Sequence, residues 1–299
     1  MIPLPFSIRQ AGSFLALAPL GFAAPSFAQS TPRAAADSFS AAIELPSQGV
    51  LLRGVMRVAA GAGRHPTVVS LQGFPGSSNP LLPAYVQAAG FNGVAIYFRG
   101  QRSSDGLYSV EGTVEDARAM VAFLRSDSAQ RAYRIDPKRI VLIGASAGTL
   151  ATLAATAGDS ALGCVAALVP FNWSPAVIAA RTDTAIRAQF EVVYRAVTSG
   201  PEPPIRAEGL VDRLLGNAEA YDLVPVGAAL RNRAVLLVGA EQDATAPLPI
   251  HFAPLAKAIR SAAGARLRDT LVADGHNLPN TYLDVFAAIV RWLRTDCFR

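Results

Sequence analysis

Short runs rich in apolar residues alternate along this chain with longer stretches whose apolar positions recur at helical spacing. Residues 39–45 and 50–58, joined by Pro-Ser-Gln-Gly, read as a leading β-hairpin. Runs at 66–71, 94–98, 139–143, 163–169, 234–238 and 267–272 each predict a short strand, that at 66–71 a buried one. Helices are expected between them at 81–89, 112–125, 249–263 and 281–293. In the second of these, Val114, Ala117, Val121 and Leu124 share one face. Strands separated by helices predict a mostly parallel sheet of eight strands, hairpin included, with helices on both faces and ligands at the strand carboxyl ends.

The alternation stops between residues 171 and 232. Ile186, Phe190, Val193, Tyr194 and Val197 mark one helical face, Ser-Gly-Pro-Glu-Pro-Pro at 199–204 ends it, and Leu210, Leu214 and Leu215 suit a second short helix. This stretch reads as a small helical cap inserted over the top of the sheet; the alternative is a longer crossover packed at its side.

At the amino end, Arg9 precedes an apolar segment at 11–24, and Ser26-Phe27-Ala28 offers small residues where a signal peptidase reads. The expectation is a signal peptide over 1–28, a flexible mature terminus over 29–38 and one folded domain over 39–299. That places the protein in the periplasm or outside the cell. The segment is short for a membrane span and is interrupted by Pro19, so no stable membrane insertion is expected after cleavage.

Composition adds limits. With 51% hydrophobic and 16% charged residues, the chain has the makings of a packed α/β domain. The net charge of +5 comes almost wholly from singly scattered arginines, which argues against a nucleic-acid tract. Cys164 lies in an apolar run and reads as a buried core thiol, and neither it nor Cys297 has metal-ligand spacing. No metal or cofactor is expected, and oligomeric state is not encoded legibly.

The chemistry centres on Gly144-Ala145-Ser146-Ala147-Gly148, between a strand and a helix. A serine at such a turn is thrust out of the sheet top, and the flanking glycines let strand and helix pass closely. A serine hydroxyl needs a base. His65 stands at the amino end of its strand and His251 within a helix, whereas His276 follows the last strand directly. The carboxylate that orients it should follow another strand. Asp243 and Glu241 compete in Gly239–Pro247, and Asp243, deeper in the loop, is preferred. Asp274 is too close in sequence to His276 to orient it comfortably. Backbone N–H groups of Phe74, after the 66–71 strand, and Ala147, after the serine, are the candidate oxyanion donors. Phe171, Trp173, Phe190 and Tyr194 are candidate walls of an apolar substrate pocket.

These residues, with Gln72-Gly73-Phe74-Pro75-Gly76, Tyr97-Phe98-Arg99-Gly100, Arg134–Ile140 and Asp274-Gly275-His276, resemble the α/β-hydrolases. The likeness is to the prolyl-oligopeptidase-like and dienelactone-hydrolase-like branch. It implies the α/β-hydrolase fold, a triad in the order Ser146, Asp243, His276, and an acyl-enzyme mechanism without a cofactor. The family usually opens its oxyanion loop with His-Gly, and Gln72 stands in that place here. The peptidases of the branch carry an amino-terminal β-propeller that the residues before 39 cannot form. The expected activity is therefore carboxylic-ester hydrolysis on a small molecule. Amide or aminopeptidase-like cleavage is the alternative, and it would want Glu202, Glu208 or Asp212 near the site to hold an amine. A non-catalytic binding protein on the same fold is the third reading.

Overall fold

A computed structural model describes residues 37–76, 81–199 and 205–299. The residues assigned above to a signal peptide lie outside this described portion. The hairpin forms as β1 (Phe39–Ser47) and β2 (Val50–Val58), followed by β3 (His65–Leu71), α1 (Leu81–Ala88) and β4 (Asn92–Ile96). The chain continues through α2 (Val110–Leu124), α3 (Asp127–Tyr133), β5 (Ile135–Ala145), α4 (Gly148–Ala157) and β6 (Cys164–Leu168). Helices α5 (Trp173–Thr182), α6 (Thr184–Thr198), α7 (Leu210–Gly216) and α8 (Leu223–Ala228) precede β7 (Ala234–Ala240). Last come α9 (Leu248–Ser261), β8 (Arg266–Val272) and α10 (Tyr282–Trp292). No described helix is long and apolar enough to cross a membrane.

The eight strands form one sheet in the order β1-β2-β4-β3-β5-β6-β7-β8. It is antiparallel at β1–β2 and β2–β4 and parallel elsewhere. Strand side chains alternate between faces, and the core follows that alternation. Val165, Ala167, Val235 and Leu237 point to the face covered by α4, α8 and α9. Ala166, Leu168, Leu236 and Val238 point to the face covered by α1 and α10. Over the central strands both faces are dry, so their carboxyl ends are where polar chemistry can gather.

Several expectations are corrected. β4 begins at Asn92 rather than Val94, because the buried Asn92 amide completes backbone bonding there. Its Oδ1 accepts from Ala59 N at 3.0 Å, and its Nδ2 donates to Tyr133 O at 2.9 Å. Helix α3 carries no apolar stripe, only Ala129 being buried, and is set instead by the Ser126 N-cap. β5 starts at Ile135 rather than Arg139, and the additional residues are absorbed by a register shift opposite His65 and Thr67.

The 171–232 insertion divides. Helices α5 to α7 form the cap proper, whereas α8 packs beside the sheet, with Gly227 pressed against Leu255 and Ile259 of α9. Cys164 is not a free core thiol: it is joined to Cys297, with Cα atoms 5.4 Å apart. A π-helical turn over Leu293–Cys297 carries Cys297 back to the amino end of β6, a return that spacing does not encode.

Candidate active site

Ser146 occupies the turn between β5 and α4 with φ of +53°, a left-handed conformation that non-glycine residues avoid. Close packing holds it there. A Cβ on Gly144 would strike Thr152 Oγ1 and the Gly148 carbonyl, and a Cβ on Gly148 would strike the Gln72 carbonyl. A Cβ on Gly73 would lie 2.9 Å from Ser146 Cβ and 3.2 Å from the Ala145 carbonyl. The glycines therefore let strand, helix and the loop after β3 converge on the serine. Behind the turn, Ser146 N donates to Leu168 O at 2.9 Å, and Phe171 N donates to Ser146 O at 3.2 Å.

His276 Nε2 lies 2.7 Å from Ser146 Oγ, and its Nδ1 lies 2.7 Å from Asp243 Oδ2. An acceptor-only carboxylate at Nδ1 fixes the proton there, leaving Nε2 with a lone pair toward the serine hydroxyl. Asp243 is buried, and its other oxygen accepts from Thr245 N at 2.9 Å and Ala246 N at 2.7 Å. Both carboxylate oxygens are thus engaged, and Oδ2 is aimed at the imidazole. Glu241, the competing carboxylate, points to solvent.

Asp274, set aside as an orienter of His276, shapes the loop that carries it. Its buried carboxylate accepts from the backbone N–H groups of Gly275, Asn280 and Thr281 and from the Asn280 and Thr281 side chains. Desolvation opposes its ionisation, but these hydrogen bonds outweigh it and hold the carboxyl below the usual carboxylate range.

Phe74 and Ala147 line the same cavity as Ser146, Ala147 as the N-cap residue of α4. The loop bearing Phe74 is supported by the buried Gln101. Its Oε1 accepts from Phe98 N at 3.1 Å, and its Nε2 donates to Pro75 O at 3.3 Å. Nothing in the sequence pattern marked Gln101 for this position.

The cavity encloses about 460 Å³ beneath the cap. All four aromatic residues named as candidate walls line it: Phe171, Trp173, Phe190 and Tyr194. The Trp173 ring meets Phe171 and Phe74 edge-on, at 5.1 and 5.6 Å between centroids. The Tyr194 hydroxyl donates to Ala207 O at 2.9 Å. His276 is the one ionisable group other than the Tyr194 phenol among the described lining residues. Glu208 and Asp212 are not among them; Asp212 lies 3.7 Å from Arg187 on the cap surface, and Glu202 falls outside the described residues.

His65 sits at the opposite end of the sheet, 3.3 Å from Gly61 O. The histidine that spacing missed is His251, buried in α9 behind the site, where its Nδ1 accepts from Asn172 N at 2.9 Å. Burial is the main cause holding its imidazole below the ordinary value, helped by His276 and opposed by Asp243. Among the described residues, no group of His, Cys, Asp and Glu side chains is disposed to hold a metal ion.

Sheet order, elbow and the disposition of these loops define the α/β-hydrolase fold. The BD-FAE family model matches residues 81–172, which carry β4 through the serine to the start of the cap. An uncharacterised 31.7 kDa protein of the traX-finO intergenic region of Escherichia coli is 29% identical over 153 residues, 48% of this chain and 50% of that protein. The chain spans about half the length of the curated relatives it matches. Among solved structures, an esterase of Pyrococcus furiosus superposes with a TM-score of 0.64 at 18% identity, over 86% of this chain and 91% of that one. An acetyl xylan esterase of Paenibacillus sp. R4 superposes with a TM-score of 0.62 at 16% identity, over 89% and 86% of the two chains. At these identities the likeness is one of fold.

Proposed function

We propose that the protein is a serine hydrolase of neutral carboxylic esters. The observation that carries this reading is the continuous relay from Ser146 Oγ through His276 to Asp243, with both contacts at 2.7 Å. In the reaction, Ser146 Oγ attacks the ester carbonyl as its proton passes to His276 Nε2. The carbonyl oxygen becomes an oxyanion beside the Phe74 and Ala147 N–H groups, and the helix dipole of α4 favours that charge. Asp243 stabilises the imidazolium, which then protonates the departing alcohol. Water, activated by the same imidazole, releases the acid from the acyl-enzyme.

The lining supports an uncharged, apolar acyl or alcohol group, since aromatic and aliphatic side chains surround the serine. An aminopeptidase needs a carboxylate for the substrate amine, and none is found among the described residues of the cavity. We further propose that the protein is exported. The amino-terminal pattern supports this, and the Cys164–Cys297 pairing suits an oxidising compartment.

The test of substrate class compares p-nitrophenyl esters of increasing acyl length with aminoacyl p-nitroanilides. The expected outcome is ester turnover that rises from acetate to medium-length acyl groups, with negligible release from the anilides. Preferential cleavage of the anilides would overturn the ester reading.

A further inference from the structure

His251 lies outside the relay, yet its surroundings tie it to the nucleophile. The Nδ1 atom accepts the Asn172 N–H, so the ring is neutral and carries its proton on Nε2; an imidazolium has no lone pair with which to accept. The same ring stacks on Phe171, at 4.8 Å between centroids and 22° between planes. Phe171 in turn donates its N–H to the Ser146 carbonyl and lines the cavity. The segment between β6 and α5 therefore touches the elbow on one side and His251 on the other.

That segment needs holding. Val169, at its start, has φ of +41°, a left-handed conformation that a β-branched residue adopts only when its neighbours enforce it. Val169 N donates to Val238 O at 2.7 Å, and the Asn172 side chain anchors the far end. Its Oδ1 accepts from Ser174 N and Leu223 N, and its Nδ2 donates to Asp222 at 2.8 Å. Among these contacts, the Asn172 backbone N–H is the one whose acceptor must be a neutral imidazole.

We propose that His251 is a positioning residue for this site: in its neutral form it clamps the Phe171–Asn172 segment against the back of Ser146, and protonation releases the clamp. The charged and titratable groups around it are Asp243 and His276, from the loops after β7 and β8, and Asp222 beyond Asn172. A proton on His251 removes the acceptor for Asn172 N–H and sets a positive charge against the imidazolium that His276 must form. Activity then requires two neutral imidazoles, His276 as base and His251 as clamp. This inference rests on the serine-hydrolase reading.

The experiment measures kcat and KM on a neutral p-nitrophenyl ester from acidic to neutral pH, for wild type, His251→Phe and His251→Asn. Functional sites are counted by stoichiometric phosphonylation. His251→Phe keeps a ring to stack on Phe171 but leaves Asn172 N–H without its acceptor. Its kcat per site is expected to fall about 10-fold, with KM changed less than about twofold. In His251→Asn the side-chain oxygen stands near the former Nδ1 and should restore kcat to within about threefold of wild type. The acid limb of the wild type should follow two protons and that of His251→Asn one. The proposal is overturned if Asn is as impaired as Phe, or if wild type and His251→Asn share one acid limb. Should His251→Phe fail to fold, the acid limbs decide alone. Should the wild type be neither phosphonylated nor active, the hydrolase reading has failed, and the clamp is read from the Asn172 amide resonance. A resonance that titrates with His251 supports the clamp, and one unmoved by pH refutes it.

Discussion

The Asp274 carboxylate, two residues before His276, accepts five hydrogen bonds within its own loop. Its folded-state titration lies below the ordinary carboxylate range, so it contributes stability above that range and loses it as pH falls through the lowered value. The depressed titration of His251 also favours the fold at higher pH, but its contribution declines as pH falls below the ordinary imidazole value. Urea midpoints of the wild type should therefore drop in two windows on acidification. Asp274→Asn should flatten the lower one, and an unchanged lower window in that variant would contradict the assignment. Within the relay, Asp243→Asn should lower kcat about 10⁴-fold while leaving the urea midpoint near that of wild type, because the carboxamide cannot hold the needed tautomer. A loss below about tenfold would remove Asp243 from the relay.

At the scale of elements, the elbow tolerates no side chain where Gly148 passes the Gln72 carbonyl, whereas Gly163 faces open space. Gly148→Ala should cost about 1–3 kcal/mol and most of the activity, and Gly163→Ala less than about 0.5 kcal/mol, as read by denaturant unfolding. Equal effects would mean the close approach is not what fixes the serine. The elements most legible in the sequence are those whose burial imposes a period. Strands β3 to β7 and α2 declare themselves because the two dry faces of the central sheet demand apolar runs, whereas the exposed β8 shows only through its place in the alternation. Helix α3 and the first residues of β4 do not, since a capping serine and a buried asparagine amide do the stabilising there. Ser146, Asp243 and His276 were readable because each follows a strand end. Gln101 and His251 were not, because their roles exist only through hydrogen bonds to loops distant in sequence.

Over the whole molecule, the Cys164–Cys297 bond links β6 to the carboxyl-terminal turn across 133 residues. Cys164 opens β6 at its amino end, whereas Ser146, Asp243 and His276 gather at carboxyl ends. Cys297→Ser should therefore lower unfolding free energy by about 2–4 kcal/mol and leave kcat/KM of the folded protein within about twofold. A large loss of activity in the folded variant would show that the bond shapes the site. The disulfide and the division of 171–232 between cap and crossover share one reason for being illegible. Each depends on where the chain returns after a long excursion, and local pattern carries no record of that.

The most direct test of the account is hydrolysis of a neutral p-nitrophenyl ester by wild type and Ser146→Ala, with the functional sites of the wild type counted by a fluorophosphonate. The prediction is one adduct per chain, mapped to Ser146, and turnover that falls by about 10³-fold or more in Ser146→Ala. An adduct on another residue, or equal turnover by the two proteins, would contradict it.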